Sequence, residues 1–259
     1  MLGTGISITS VDDLVEWFSH RERDRAVTIN VCNVHSVMSA RTDARLAEAF
    51  AAGDANTPDG MPLVWAMRSL GVPAQTRVKG SHIALRAFEV GLDRGWRHFF
   101  YGSTRETLDS LTAAVGRRFP GLQIAGSLSP PFRPLEPHEQ AQILAGIRDT
   151  RPDIVWVGLG MPKQEKWMLE VRDSLPGMVL VGVGAAFDFL AGTKPEAPEM
   201  LQRAGLEWAF RLASEPRRLW RRYAWNNPAF LALWLGKLAF RSRSRGARPP
   251  RDELRSRPS

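Results

Sequence analysis

DIVWVGLGMPKQEKWMLEVRDSLPGMVLVGVGAAFDFLAG, residues 153–192, is the stretch that decides the fold. DIVWVGLG (153–160) is a short β-branched and aromatic run closed by Gly158 and Gly160, the pattern of a buried strand ending in a turn. MPKQEKWMLEVRDSL (161–175) opens a helix, and GMVLVGVGAAFDFLAG (177–192) reads as a second strand running into a loop and a short helix. Strands alternating with helices in this way argue for parallel strands joined by helical crossovers.

The same alternation extends toward the N-terminus. AVTINV (26–31) reads as a strand, followed by a helical stretch over roughly 35–52 and a helix PLVWAMRSLG (62–71) ended by Gly71. HIALRAFEVGLDRG (82–95) is a helix, WRHFFYG (96–102) a buried strand, and TRETLDSLTAAVGRRFP (104–120) a helix stopped before Pro120. LQIAGSLSP (122–130) is strand then loop, and HEQAQILAGIRDTRP (138–152) is a helix. The expected fold class is therefore α/β, a mostly parallel sheet with helices on both faces. Ligands in such folds sit at the carboxyl ends of the strands, which nominates the loops after 26–31, 96–102, 153–160 and 179–184.

Composition bounds the rest. With 259 residues, 44% hydrophobic and 24% charged, the chain is ordinary globular material. A single cysteine, Cys32, excludes an internal disulfide or a cysteine-based zinc site and suits a reducing cytoplasm. The start MLGTGISITSVDDLVEWF lacks the basic-then-apolar order of a signal peptide. The longest apolar run, AFLALWLGKLAF (229–240), is too short to span a bilayer and contains Lys237. The net charge of +8 is concentrated at one end. Residues 200–259 carry 14 Lys/Arg against 4 Asp/Glu, whereas residues 1–199 carry 21 against 23. Such asymmetry points to a polyanionic partner: nucleic acid, a phosphate-bearing ligand or an anionic membrane. We expect an α/β core over 1–200, an arginine- and aromatic-rich helical appendage over 201–240, and a disordered basic tail over 241–259.

Four clusters in the core could carry chemistry. In NTPDGMPLVW (56–65), Asp59 stands in a turn that enters a helix. It either caps that helix or, as a carboxylate in a cleft, accepts a proton from an attacking hydroxyl. In RVKGSHI (77–83), Arg77 either binds phosphate or carboxylate bidentately or pairs with a nearby acid. In GLGMPKQEKW (158–167), Gly158 and Gly160 allow a ligand close to the backbone. Gln164 and Glu165 fall in the first turn of the following helix, whose open amides could receive phosphate or sugar oxygens. This is no dinucleotide fingerprint, because Lys163 stands where the third glycine would be, and no Walker loop. In GVGAAFDFLAG (182–192), Asp188 is a site carboxylate or a loop-fixing group. Asn33, after the first strand, could bond a sugar hydroxyl or hold its own loop; His35 and Cys32 read as structural.

The appendage places Arg211, Arg217, Arg218, Arg221 and Arg222 among Trp208, Phe210, Leu219, Trp220 and Tyr223. Arginines at that helical spacing suit a diphosphate or lipid headgroups, and the adjoining Trp, Tyr and apolar residues suit a membrane interface. No helix-turn-helix, zinc-finger or RNA-binding signature stands in the body, which argues against nucleic acid. Two other readings of the residues remain: a soluble nucleotide-sugar enzyme such as an epimerase or hydrolase, and a non-enzymatic basic adaptor.

PDG (58–60), RVKG (77–80), GLGMPKQE (158–165), GVGAAFD (182–188) and LEWAFRLASEPRRLWRRY (206–223), in that order, resemble the WecG/TagA/CpsF glycosyltransferases over about residues 26–225. The resemblance implies a Rossmann-like core and a metal-independent, inverting transferase without a cofactor. The implied donor is a UDP-linked N-acetylmannosamine, its uronic acid or a related hexose. The implied acceptor is a polyprenyl-diphosphate-linked sugar at the inner face of the cell membrane, in teichoic acid, common-antigen or capsule synthesis. Peripheral attachment to an anionic membrane surface follows; nucleic acid does not, and homo-oligomerisation is compatible with the resemblance. By the same resemblance Asp59 matches the family's general base, Arg77 and Gln164 match pocket positions, and the arginines over 211–222 match the part that closes on the donor diphosphate. The chain departs from the family pattern at Val31, where many relatives have Thr, and at Glu196-Ala197-Pro198, where the usual stretch is Arg-Ala-Pro.

Overall fold

A computed structural model describes residues 1–21 and 24–246; the side chains of residues 218, 221–223 and 238–246 lie outside the described set. Six strands, β1 (Val27–Cys32), β2 (Ala55–Pro58), β3 (Arg97–Gly102), β4 (Gln123–Leu128), β5 (Ile154–Gly158) and β6 (Val179–Gly182), form one sheet in the order β2-β1-β6-β5-β3-β4. Every pairing is parallel. The helices up to the third strand are α1 (Val11–Trp17), α2 (Val34–Ser39), α3 (Ala44–Ala52), α4 (Met61–Ser69) and α5 (Gly80–Arg94). Then follow α6 (Arg105–Arg118), α7 (Pro137–Asp149), α8 (Lys163–Val171), α9 (Ala186–Leu190), α10 (Glu199–Arg203), α11 (Glu207–Ser214) and α12 (Pro216–Gly246). The α/β expectation, a parallel sheet with helices on both faces, holds.

Period-two alternation builds the two sides of the core. In β5, Ile154 and Trp156 face one cluster with α5, α6 and α9, while Val155 and Val157 face the other with α7 and α8. Both faces are covered, so the strands read as near-continuous apolar runs. His98 is fully buried in this core, accepts from the Trp156 indole N–H at Nδ1 (3.2 Å), and has its pKa pushed by burial down to about 3.

Two elements differ from the sequence reading. The stretch 35–52 is two helices, because Asp43 accepts from the Leu46 amide (3.1 Å) and caps α3 separately. The segment 55–58, which the sequence reading assigned to no strand, is an edge strand paired with β1 through Ile29↔Ala55 to Cys32↔Pro58. Its Pro58 is tolerable because an edge strand leaves one side unpaired.

A third apolar cluster joins α2, α3 and α4 to the C-terminal helix. Phe230 and Trp234, one turn apart on α12, are buried there with Cys32, Val37, Leu46 and Leu63. Long as α12 is, no helix among the described residues is long and apolar enough to cross a membrane.

Candidate active site

In the strand order β2-β1-β6-β5-β3-β4, the connection leaving β1 runs outward to β2 and the one leaving β3 runs outward to β4 on the opposite side. Opposed connections open a crevice beyond the carboxyl ends of the strands between them. A solvent-open cleft of about 1440 Å³ lies there. All four loops nominated from the sequence border it: Asn33 after β1, Ser103 and Thr104 after β3, Gly158 to Gln164 after β5, and Gly182 to Asp188 after β6. The edge strand adds Asp59, the loop into α5 adds Lys79, Gly80 and Ser81, and the C-terminal segment adds Glu207 and Arg211.

Asp59 follows β2, and its amide donates to the Cys32 carbonyl (2.8 Å), which extends the β1 pairing by one residue. Its carboxylate is partly exposed and is held from one side by Arg77. The guanidinium donates from Nε to the Asp59 carbonyl oxygen, from Nη2 to Asp59 Oδ1 (3.3 Å), and to Glu207 Oε2. Burial alone would make Arg77 easier to deprotonate; the facing Asp59 and Glu207 outweigh it and raise its pKa above the ordinary value. Burial would also raise Glu207, but Arg77 and then Lys79 hold its carboxyl below the usual range. Arg77 therefore pairs with nearby acids, the second reading of its sequence context, and holds a cleft carboxylate without itself lining the cleft. Asp59 does not cap α4: the N-cap is Gly60, with no side-chain cap bond.

Gln164 is buried at the cleft floor. Its Oε1 accepts from the Gly160 amide (3.2 Å), and its Nε2 donates to Glu165 Oε1 (2.9 Å). Gly160 has φ +76°, a conformation that favours glycine, and a Cβ at Gly182 would stand 2.9 Å from Gln164 Nε2. The two glycine turns thus close around one amide. Glu165, expected beside it in the cleft, is instead 1% exposed and does not line the cavity. Successive helix residues point about 100° apart, so when Gln164 faces the ligand, Glu165 faces the interior. Burial pushes the Glu165 carboxyl up to about 7, and its Oε2 has no hydrogen-bond partner.

The remaining expected residues divide. Asn33 caps α2, accepting from the Ser36 amide (3.2 Å), and also borders the cleft. Asp188 lines the cleft and pairs with Lys194 (3.0 Å), so it also fixes its loop. Arg211 lines the cleft with its guanidinium carbon 5.2 Å from the Phe189 ring centroid. Arg217 is exposed and not in the cleft wall, and the side chains of Arg218, Arg221 and Arg222 fall outside the described residues. Val31 presents an apolar side chain to the cleft. Glu196, one of the departures from the family pattern, reaches buried Lys79, which also donates to Gln202 Oε1 (2.9 Å).

Lys79 and Glu207 were not singled out from the sequence. Their partners lie more than 100 positions away, at a spacing no local pattern reveals. Among the described residues no three His, Cys, Asp or Glu side chains gather as a metal site would require.

A sequence model of the glycosyl transferase WecG/TagA/CpsF family matches residues 1–244. The chain is 30% identical over 215 residues, 81% of either chain, to a Bacillus spizizenii (strain W23) protein named N-acetylglucosaminyldiphosphoundecaprenol N-acetyl-beta-D-mannosaminyltransferase. Relatives with the same name occur in Bacillus subtilis strain 168 (27% identical, over 83% of this chain and 82% of the relative) and Staphylococcus aureus strain MW2 (26%, over 63% and 62%). The chain belongs to the WecG/TagA/CpsF family of glycosyltransferases.

Proposed function

We propose, with that membership as premise, that the chain transfers N-acetylmannosamine, its uronic acid or a related hexose from a UDP donor to the sugar of a polyprenyl-diphosphate acceptor. The transfer is a single displacement with inversion and uses no metal. The relatives' names, which specify an N-acetylglucosaminyl-diphosphoundecaprenol acceptor and a β-mannosaminyl product, support the substrate class.

The observation that carries the reading is that Asp59 shares one cleft with the glycine turns after β5 and β6. Asp59 takes the proton from the acceptor hydroxyl while the hydroxyl oxygen bonds to the anomeric carbon. The bond from that carbon to the UDP oxygen breaks, and UDP leaves with the electron pair. Arg211, Lys79 and the first amides of α5, at Gly80 and Ser81, meet the charge that develops. Gln164, fixed by Gly160 and Glu165, presents its amide to the donor sugar.

The acceptor lipid sets the location. Trp220, Trp225, Leu231 and Leu235 on α12 are exposed, Trp225 at 80%. Aromatic and apolar side chains beside Arg217 suit a helix resting in a headgroup layer, so the reading has the protein attached peripherally to the inner face of the membrane.

The test is Asp59→Asn, assayed with UDP-sugar and a lipid-diphosphate acceptor analogue. The expected loss of kcat is about 10²–10⁴-fold, with UDP still bound and a product of inverted anomeric configuration from the wild type. A wild-type rate in the variant removes Asp59 from the mechanism, and a retained anomer removes the single displacement.

A further inference from the structure

A second, solvent-open pocket, with about 620 Å³ of empty space including open solvent, is also lined by Asp59. It shares Asn33, Asp59, Arg211 and Glu207 with the first cleft, so Asp59 stands at the border of the two. The two differ in chemistry. The first has the glycine turns, Lys79 and the start of α5, features that receive phosphate. The second has Met61, Pro62 and Trp208 as apolar surface, with His35, Asn226 and Asn227 as polar groups and Arg77 as its one charged residue not shared with the first. Asn226 Nδ2 and His35 Nδ1 lie 2.8 Å apart, which fixes the amide against α2. An aromatic face beside fixed amide and imidazole groups is the chemistry that binds a neutral pyranose, apolar on one face and ringed with hydroxyls.

A group transfer by direct displacement needs two compartments meeting at the base, one for each reactant. We propose that the cavity lined by His35, Met61, Trp208, Asn226 and Asn227 is the acceptor subsite. It takes the neutral hexose or N-acetylhexosamine unit of the acceptor and turns its hydroxyl toward Asp59. The proposal rests on the transferase reading above. It assigns Trp208, at the start of α11, and Asn226, on α12, to acceptor recognition, so the C-terminal segment contributes directly to substrate choice. Asn226 stands on the same helix as the exposed Trp225 and Leu231.

Steady-state kinetics on Trp208→Ala and Asn226→Ala test it, with UDP-sugar and a short-chain lipid-diphosphate sugar as substrates. The acceptor KM should rise by about tenfold or more in each variant while the donor KM stays within about twofold. An unmoved acceptor KM, or a donor KM that rises in parallel, overturns the assignment. A measurement on the wild-type sequence covers the case in which a variant fails to fold. In protein carrying 5-fluorotryptophan, the Trp208 fluorine resonance, assigned with Trp208→Phe, should shift on adding the acceptor analogue and not on adding UDP alone. No shift at saturating acceptor, or an equal shift with UDP, also overturns it. If the wild type transfers no sugar at all, the transferase reading itself fails. Failure of the present inference instead leaves transfer intact with acceptor KM indifferent to Trp208 and Asn226.

Discussion

Replacing Glu165 by Gln should make the protein more stable above neutral pH relative to the wild type than it is in acid. The side chain is buried, one oxygen has no partner, and the folded-state pKa is about 7 against an ordinary 4.5. Because the fold raises this pKa, the folded state holds the proton more tightly than the unfolded chain. The resulting stabilisation is complete below the unfolded value and is lost as pH rises through the folded one. At about 1.4 kcal/mol per unit, the wild type loses about 2–3 kcal/mol from this group between pH 5 and pH 8. A Gln at this position still offers an oxygen to Gln164 Nε2 but does not titrate. Urea denaturation of both proteins, followed by tryptophan fluorescence at about pH 5, 6.5 and 8, reads the difference; every other titrating group cancels. The gap between variant and wild type should move by about 2–3 kcal/mol in the variant's favour over that range. A gap independent of pH would show that the carboxyl is solvated in the folded state, and with it the account of how Gln164 is held would fall.

Three further outcomes follow from the geometry. His98, held down to about 3 against an ordinary 6.5, has the opposite sign: its stabilisation is present above 6.5 and falls as pH drops, by about 2 kcal/mol at pH 5. His98→Phe should therefore flatten the acid limb of a stability profile measured in denaturant, and an unchanged limb counts against a buried neutral imidazole. Gly182→Ala puts a methyl 2.9 Å from Gln164 Nε2 and Met168 Cε, both ends of flexible side chains. It should cost about 1–3 kcal/mol of stability and lower transfer by displacing the Gln164 amide; full activity in the assay would show that the amide is not needed where it lies. Trp234→Ala empties the seat of α12 among Val37, Leu46 and Leu63 and should cost about 3–5 kcal/mol; calorimetry that finds a loss below about 1 kcal/mol would mean that α12 is not packed as described.

Much of the fold was legible because the central strands are apolar on both faces and each is followed by a turn and a helix, as in 153–192. The edge strand at 55–58 was not, since ANTP has neither the length nor the alternation of a strand and owes its conformation to pairing with β1. The cleft lining was legible at strand ends, where Gly160, Gln164 and Asp188 were expected and stand. It was illegible where it depends on long-range contacts: Glu207 lines the cleft and bonds Arg77 from 130 positions away. Glu165 shows a different limit. Its presence in the first turn of α8 was plain, but which way it pointed depended on the phase of a helix whose start is uncertain by a residue or two.

The segment Arg77-Val78-Lys79 runs extended past β2, with the Val78 amide donating to the Pro58 carbonyl (2.9 Å) and the Val78 side chain in the core. The flanking cations turn the other way, one to Asp59 and Glu207, the other to Glu196. Such a ribbon counts in twos. A slip of one residue within 77–79 would send a valine to the acids and a charge into the hydrocarbon interior. Length variation at the turn over 73–74 should therefore be tolerated, and variation within 77–79 punished.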